Sequence, residues 1–193
     1  MHGLFNAILL LAFIGLLRAL HNPERLPPVT ALRPHEMNTA ATYLCGIFLE
    51  EGYINPGSQN LQKHIALTEK EFEDSQQNAL KLDDYRVQFL KIALPTQHQE
   101  WVAFGQVITD NAKPRRAVIQ NLCVSRKHRR RGLGKALVER AMSTVKDDWK
   151  HSELWLNVED DNKKAISFYT KLGFQKDESE GPGFGSFMMV KRL

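Results

Sequence analysis

Cysteine is scarce in this sequence: Cys45 and Cys123 are the only two in 193 residues, and they lie far apart in unlike segments. That placement supports neither a disulfide framework nor a zinc site with paired ligands, and it leaves each as a buried, reduced thiol. A large excess of one charge is also missing. Lys and Arg outnumber Asp and Glu by 26 to 22, which is too mild for a surface dedicated to nucleic acid, and most of the excess falls in one local cluster. Any anionic partner is therefore expected at that cluster. Internal repeats and low-complexity tracts are absent. With 42% hydrophobic and 25% charged residues, the chain fits one globular domain long enough to bury a core.

The apolar run LFNAILLLAFIGLL, residues 4 to 17, falls short of the roughly 20 residues that span a bilayer. Its length suits the hydrophobic part of a signal peptide, but no Lys or Arg precedes it and no small-x-small cleavage site follows. Arg18 and Arg25 flank its C-terminal side, so insertion as an anchor would leave the rest of the chain in the cytoplasm. A leader lying along a membrane and a helix buried on the domain are the alternatives. Membrane contact or targeting through residues 4–20 is placed ahead of them, with a cytoplasmic or organellar location left open. The prolines of NPERLPPV mark a linker, dividing the chain into a leader and linker (1–28) and a domain (29–193).

Within that domain strands and helices alternate. VTALRP (29–34) reads as a short strand. The stretch 34–53 reads as a helix, with Met37, Ala41, Leu44, Cys45, Phe48 and Leu49 at helical spacing and Gly52 as its stop. Residues 54 to 83 are polar and poorly patterned, with a helix expected only in LTEKEFEDSQQNALKLDD. YRVQFLKIAL and EWVAFGQVIT form a hairpin, and NAKPRR is a turn. AVIQNLCV (117–124) is an apolar strand. A helix from Leu133 to about Val145, the strand ELWLNV (153–158), the helical NKKAISFYTKLGF and the strand SFMMVKRL complete the chain. A helix between two strands implies a parallel pair with the helix packed across it, and such sheets gather ligands beyond the carboxyl ends of their strands.

SRKHRRRGLGKALVERAM (125–142) occupies that place. Leu133, Leu137, Ala141 and Val145 form one apolar stripe, which turns the helix toward the sheet and leaves the N–H groups of its first turn pointing outward. With glycines at 132 and 134 admitting close approach, this is the layout of an anion site, and a pyrophosphate is the expected occupant. A solvated basic turn or a nuclear-localisation tract is the commoner meaning of such a run in isolation. Its position between strand and helix counts against that meaning.

These residues resemble a known family. Arg129, Gly132 and Gly134, in an R-x-x-G-x-G arrangement, look like the acetyl-coenzyme A loop of the GNAT acetyltransferases. LWLNVEDDNKKAISFYTKLGF (154–174) resembles the second cofactor segment of the same superfamily. The likeness covers roughly residues 117 to 175 and is nearest in pattern to ribosomal-protein-alanine N-terminal acetyltransferases and their plastid relatives. It implies an α/β fold with a central, mostly antiparallel mixed sheet, a splayed parallel strand pair at the cofactor cleft, and helices on both faces. It also implies an enzyme moving acetyl from acetyl-CoA to a primary amine by direct attack in a ternary complex. The acceptor would be a protein N-terminus or a lysine, the alternative being a small-molecule amine.

The resemblance also distributes roles. Leu122, Cys123 and Val124 would pair their backbone with pantetheine. The amides of Arg130, Arg131, Gly132, Leu133, Gly134 and Lys135 would cradle the pyrophosphate, with Arg129 and Lys127 reaching an outer phosphate. Asn162 would contact the pantetheine arm or, equally, cap a helix. Tyr169 matches the general acid, against a plain core aromatic on its helix stripe. Backbone N–H near Val124 is the expected oxyanion donor. Where the ribosomal-protein type carries a glutamate base this chain has Asn157, which cannot take a proton near neutral pH but can hold a water relaying to Glu159. Glu50, Glu51 and Tyr53, with the glycine-rich EGPGFGSF loop, are candidate acceptor contacts, no metal is expected, and oligomeric state is left open. The rivals are a basic module binding nucleic acid through RKHRRR and KPRR, which lack an aromatic platform, and an inactive transferase scaffold serving as a membrane-tethered interaction protein.

Overall fold

The period-two pattern in the middle of the chain builds one seven-stranded sheet: β1 (Thr30–Ala31), β2 (Val87–Ala93), β3 (Trp101–Thr109), β4 (Arg116–Val124), β5 (Glu153–Glu159), β6 (Gln175–Lys176) and β7 (Ser186–Arg192). The strand order is β1-β2-β3-β4-β5-β7-β6. Every neighbouring pair is antiparallel except β4 and β5. That parallel pair flanks a helix in the chain, as the alternation predicts. The structure, a computed structural model, describes residues 26–54, 61–95, 99–110, 113, 115–179 and 185–193. The leader at 4–20 and most of the EGPGFGSF loop lie outside them. Among the described residues no helix is long and apolar enough to cross a membrane.

Helices cover both faces. On one lie α1 (Met37–Glu50), entered through a 3-10 turn at Pro34–Glu36, and α2 (Leu61–Lys81). Met37, Ala41, Leu44 and Cys45 of α1 are buried with Phe72, Phe89 and Phe104. Phe48 and Leu49 complete the expected stripe but are only half-buried against it. The helix expected in the polar stretch begins earlier, at Leu61, and only Ile65 and Phe72 of it are buried. So thin a stripe gives little periodic signal. Phe72 compensates by packing 5.0 Å from the Phe89 ring and 5.6 Å from that of Phe104, a burial that stabilises by roughly 2 kcal/mol.

The other face carries α3 (Leu133–Ser143) and α4 (Lys163–Lys171). Leu133, Leu137, Ala141 and Val145 are all buried, together with Val138. The α-helix itself ends at Ser143 and finishes in a π turn, Thr144–Asp148, which keeps Val145 in the core. The two helix layers fix where the sheet can open.

Candidate active site

β4 and β5 are paired over only three residues, Arg116–Val118 opposite Glu153–Trp155. Beyond that point β4 stays with β3 as far as Val124, and β5 stays with β7 as far as Glu159. The parallel pair therefore diverges toward its carboxyl ends. A bulge sharpens the divergence: the register of β4 on β3 shifts opposite Phe104–Gln106, and Asn121 takes φ +52° there. Asn tolerates that left-handed region better than most residues. Its Nδ2 also donates to the buried Gln106 Oε1 at 3.0 Å.

The ladder then decides which backbone groups face the opening. The Ser125 N–H donates to the Val102 carbonyl at 2.9 Å, so Ala103 and Val124, the next pair, form a non-hydrogen-bonded pair and Val124 turns its N–H and C=O away from β3. Leu122 is oriented the same way. Cys123 is directed back at Phe104, with its side chain in the α1–α2 core and its thiol pushed up to about 12 by burial. It therefore remains a protonated core thiol, and of the three residues expected to pair with a ligand only its two neighbours present backbone to the opening.

The basic stretch follows directly. A 3-10 turn at Arg126–His128 leads into Arg130 at φ +66° and Gly132 at φ +81°, the N-cap of α3. Ala136 is the first residue of α3 to donate within the helix, to the Gly132 carbonyl at 3.0 Å. Among the described residues the backbone N–H groups from Arg130 to Lys135 donate to nothing. Left-handed residues at Arg130 and Gly132, set beside a helix N-terminus, curl such N–H groups into an anion-binding concavity. The two glycines differ in what they do. Gly132 is needed for its φ, whereas a Cβ on Gly134 would stand 3.3 Å from the Phe168 ring, so the missing side chain at Gly134 lets α3 pack against α4.

Around this loop the side chains are already engaged. Arg129 Nε donates to the outward-turned Val124 carbonyl at 3.0 Å, and its Nη2 donates to Glu51 at 2.8 Å. Arg126 Nη2 lies 3.3 Å from the same Glu51 oxygen and 3.2 Å from the Glu50 carbonyl. The hydrogen bond from Arg129, then the charges of both arginines, hold the Glu51 carboxyl below the usual carboxylate range. Lys135 pairs with Glu139 along α3 at 3.5 Å, and Arg130 and Arg131 are exposed.

The loop after α1 also crosses to β5. The Tyr53 hydroxyl donates to Glu159 at 3.4 Å, and its ring meets Phe48 edge-on at 5.7 Å. Partial burial, then the Glu159 charge, raises the Tyr53 phenol. Asn157 and Glu159 are exposed two positions apart on β5, hence on one face of the sheet. Leu156 and Val158 face the opposite core, where Tyr169 lies. Tyr169 meets Phe168 at 5.0 Å and Phe174 at 5.6 Å, edge to face. Burial pushes its phenol up to about 12. The residue is buried, and its hydroxyl has no hydrogen-bond partner among the described residues. Asn162 Oδ1 accepts from the Ala165 N–H at 3.1 Å, so the helix-cap alternative is realised by the oxygen and leaves the amide nitrogen spare. Among the described residues no group of His, Cys, Asp or Glu is arranged to hold a metal.

Sequence reasoning missed Arg126, whose partner lies 75 positions away, and Tyr43, whose hydroxyl accepts from the Ser125 N–H at 3.1 Å and braces the end of β4. Burial raises the Tyr43 phenol strongly. Its only local signal was its place on the first helix.

A splayed parallel pair ending at a row of free amides defines the class, and comparison with known proteins agrees with it. The acetyltransferase (GNAT) family model matches residues 59–174, and the chain belongs to that family. An N-alpha-acetyltransferase from Saccharolobus solfataricus is 34% identical over 77 residues, 40% of this chain and 46% of the relative. The chloroplastic GCN5-related N-acetyltransferase 7 of Arabidopsis thaliana is 32% identical over 65 residues, 34% of this chain and 23% of the relative. The chain thus matches less than half the length of these curated relatives. Among solved structures, the PaiA N-acetyltransferase of Thermoplasma acidophilum, in complex with coenzyme A, shares the fold with a TM-score of 0.64 at 17% identity, over 86% of this chain and 98% of that one. The mixed sheet with one parallel pair and helices on both faces is the GNAT fold expected from the two motifs.

Proposed function

We propose that this protein transfers an acetyl group from acetyl-CoA to a primary amine, a protein N-terminal α-amine or a lysine. The observation that carries this reading is the run of unbonded N–H groups from Arg130 to Lys135 beside the outward-turned backbone of Leu122 and Val124. The amides at the head of α3 would hold the pyrophosphate, and β4 would take the pantetheine arm as an added strand. The thioester then lies in the opening between β4 and β5. There the Val124 N–H is free to stabilise the oxyanion.

Acid and base would work from opposite faces of the sheet. Tyr169, kept protonated by burial, is the donor to the departing thiolate, and Asn157 with a water relaying to Glu159 takes the proton of the attacking amine. The route is weak for a base, which favours an α-amine with pKa about 8 over a lysine at about 10.4. Tyr53, hydrogen-bonded to Glu159 across the cleft, and Glu50 flank the acceptor's approach. The nucleic-acid reading loses ground for a geometric reason. KPRR leads into one end of β4 and RKHRRR follows the other, so about 25 Å of strand separates them, and Arg116 stacks 3.8 Å over Trp155 and pairs with Asp110 at 3.1 Å.

The test is transfer from labelled acetyl-CoA to peptides with free N-termini, peptides with only lysine, and small amines. Label on at least one class, with α-amines leading near pH 7, is the expected result, and label on none would end the proposal. A second measurement separates the two uses of Asn162. Asn162→Ala removes the cap and should cost about 1 kcal/mol, a fall of roughly 2–4 °C in melting temperature for a domain of this size. Asn162→Asp should restore the melting temperature yet leave coenzyme A affinity weakened. Full affinity in the Asp variant would take Asn162 out of the cofactor site.

A further inference from the structure

Arg129 is the residue that the acetyl-CoA reading sends to a phosphate, yet its guanidinium is spoken for. One nitrogen holds the Val124 carbonyl at 3.0 Å, and another holds Glu51 at 2.8 Å. The first is a carbonyl turned toward the opening, where a pantetheine amide would seek its acceptor. The second is a carboxylate on the residue that caps α1, in the stretch that also carries Tyr53 to Glu159. Arg126 joins the same carboxylate from the 3-10 turn. A single anion thus ties the acceptor side of the cleft to the cofactor loop.

We propose that Glu51 is a positioning residue of the cofactor site: an internal counter-ion that holds Arg129 on the strand end and yields it to a phosphate of the incoming cofactor. This deepens the acetyl-CoA reading and rests on it, and it moves Glu51 away from the acceptor contact its loop position suggested. The physical basis is a competition between anions for one planar donor. Glu51 is about a quarter exposed and Arg129 about two-fifths, so their pairing is partly screened and exchangeable. Glu51 takes only one guanidinium nitrogen, whereas a phosphate can take two at once and carries more charge. When the product coenzyme A leaves, the carboxylate stands ready to take the guanidinium back, which favours release. Removing the carboxylate should therefore tighten binding, whereas removing a purely structural brace would loosen it.

The experiment is calorimetric titration of the full chain with coenzyme A, and separately with inorganic pyrophosphate as a minimal anion. Glu51→Gln is close in shape and keeps an acceptor for Arg129 while losing the charge. It should raise affinity for both probes on the order of three- to tenfold at low salt, shrinking as salt is added. In the Arg129→Ala background the same substitution should change affinity less than twofold, because the competing donor is gone. Equal or weaker binding by Glu51→Gln overturns the proposal, as does a gain of the same size in the Arg129→Ala background, which would make Glu51 a distant field with no specific hold on Arg129. Circular dichroism of each variant separates these results from loss of fold. Failure of the unsubstituted protein to bind coenzyme A at all would instead sink the acetyl-CoA reading beneath it.

Discussion

Replacing Tyr169 by Phe should lower kcat by about 10²- to 10⁴-fold, the usual worth of a positioned general acid, while leaving coenzyme A affinity and the melting temperature nearly unchanged. The removed hydroxyl makes no hydrogen bond among the described residues. No buried partner is thus stranded by the change, and the ring keeps its contacts with Phe168 and Phe174. The pH dependence follows from the same burial. A phenol with its pKa pushed up to about 12 is the protonated acid from neutral pH to well above 10, so it imposes no falling limb in that range. The rate should rise with pH as the acceptor amine loses its proton, and the rise should survive in the variant at a lower level. Steady-state rates from pH 6 to 10 decide the matter. An unchanged kcat would return Tyr169 to the plain role of a core aromatic. A falling limb above pH 9 that only the unsubstituted protein shows would mean that its phenol titrates in the ordinary range.

Gly132→Val should abolish measurable coenzyme A binding, or weaken it on the order of 100-fold, at a modest cost in stability. Gly132 caps α3 at φ +81°, a conformation that a β-branched residue adopts only with strain of about 1–3 kcal/mol. The new Cβ would also stand 3.4 Å from Leu26. The chain can relieve that strain only by rotating the peptides on either side, which turns the Arg131 to Leu133 N–H groups out of their common direction. Each charge-assisted hydrogen bond lost is worth about 1.5–3 kcal/mol, so losing one or two accounts for the expected change in affinity. Calorimetry with coenzyme A and a thermal melt read the two effects separately. Unaltered affinity in a folded variant would show that the head of α3 is not where the pyrophosphate is held.

The same glycine pair marks how far local sequence reaches. R-x-x-G-x-G after an apolar strand and before a helical stripe located the loop, its free amides and the orientation of α3, because each follows from residues within a turn or two of one another. The strand hairpin, α1 and the parallel β4–β5 pair were legible for the same reason. The close packing at Gly134 is not legible locally: what stands beside it is Phe168, 34 positions on, and no local pattern identifies that neighbour. The helix through the polar stretch begins before its pattern shows, since only Ile65 and Phe72 of it are buried and two residues make no stripe. Cys123 was expected to offer its backbone to a ligand. The bulge at Asn121 set the ladder so that Cys123 faces β3, while Leu122 and Val124 face out.

What the sequence alone determined is therefore the order of strands and helices, the resemblance to the GNAT family carried by two motifs, and the place of the glycine loop at the head of α3, all of them legible in residues close together along the chain. Tertiary structure alone decided which charges meet. Glu51 finds Arg126 and Arg129 across 75 and 78 positions, and Tyr53 reaches Glu159 across 106. Those partnerships depend on where two helix layers leave a sheet uncovered and on where a parallel pair runs out of hydrogen bonds. Both are properties of packing in three dimensions, with no counterpart in the spacing of residues along the chain.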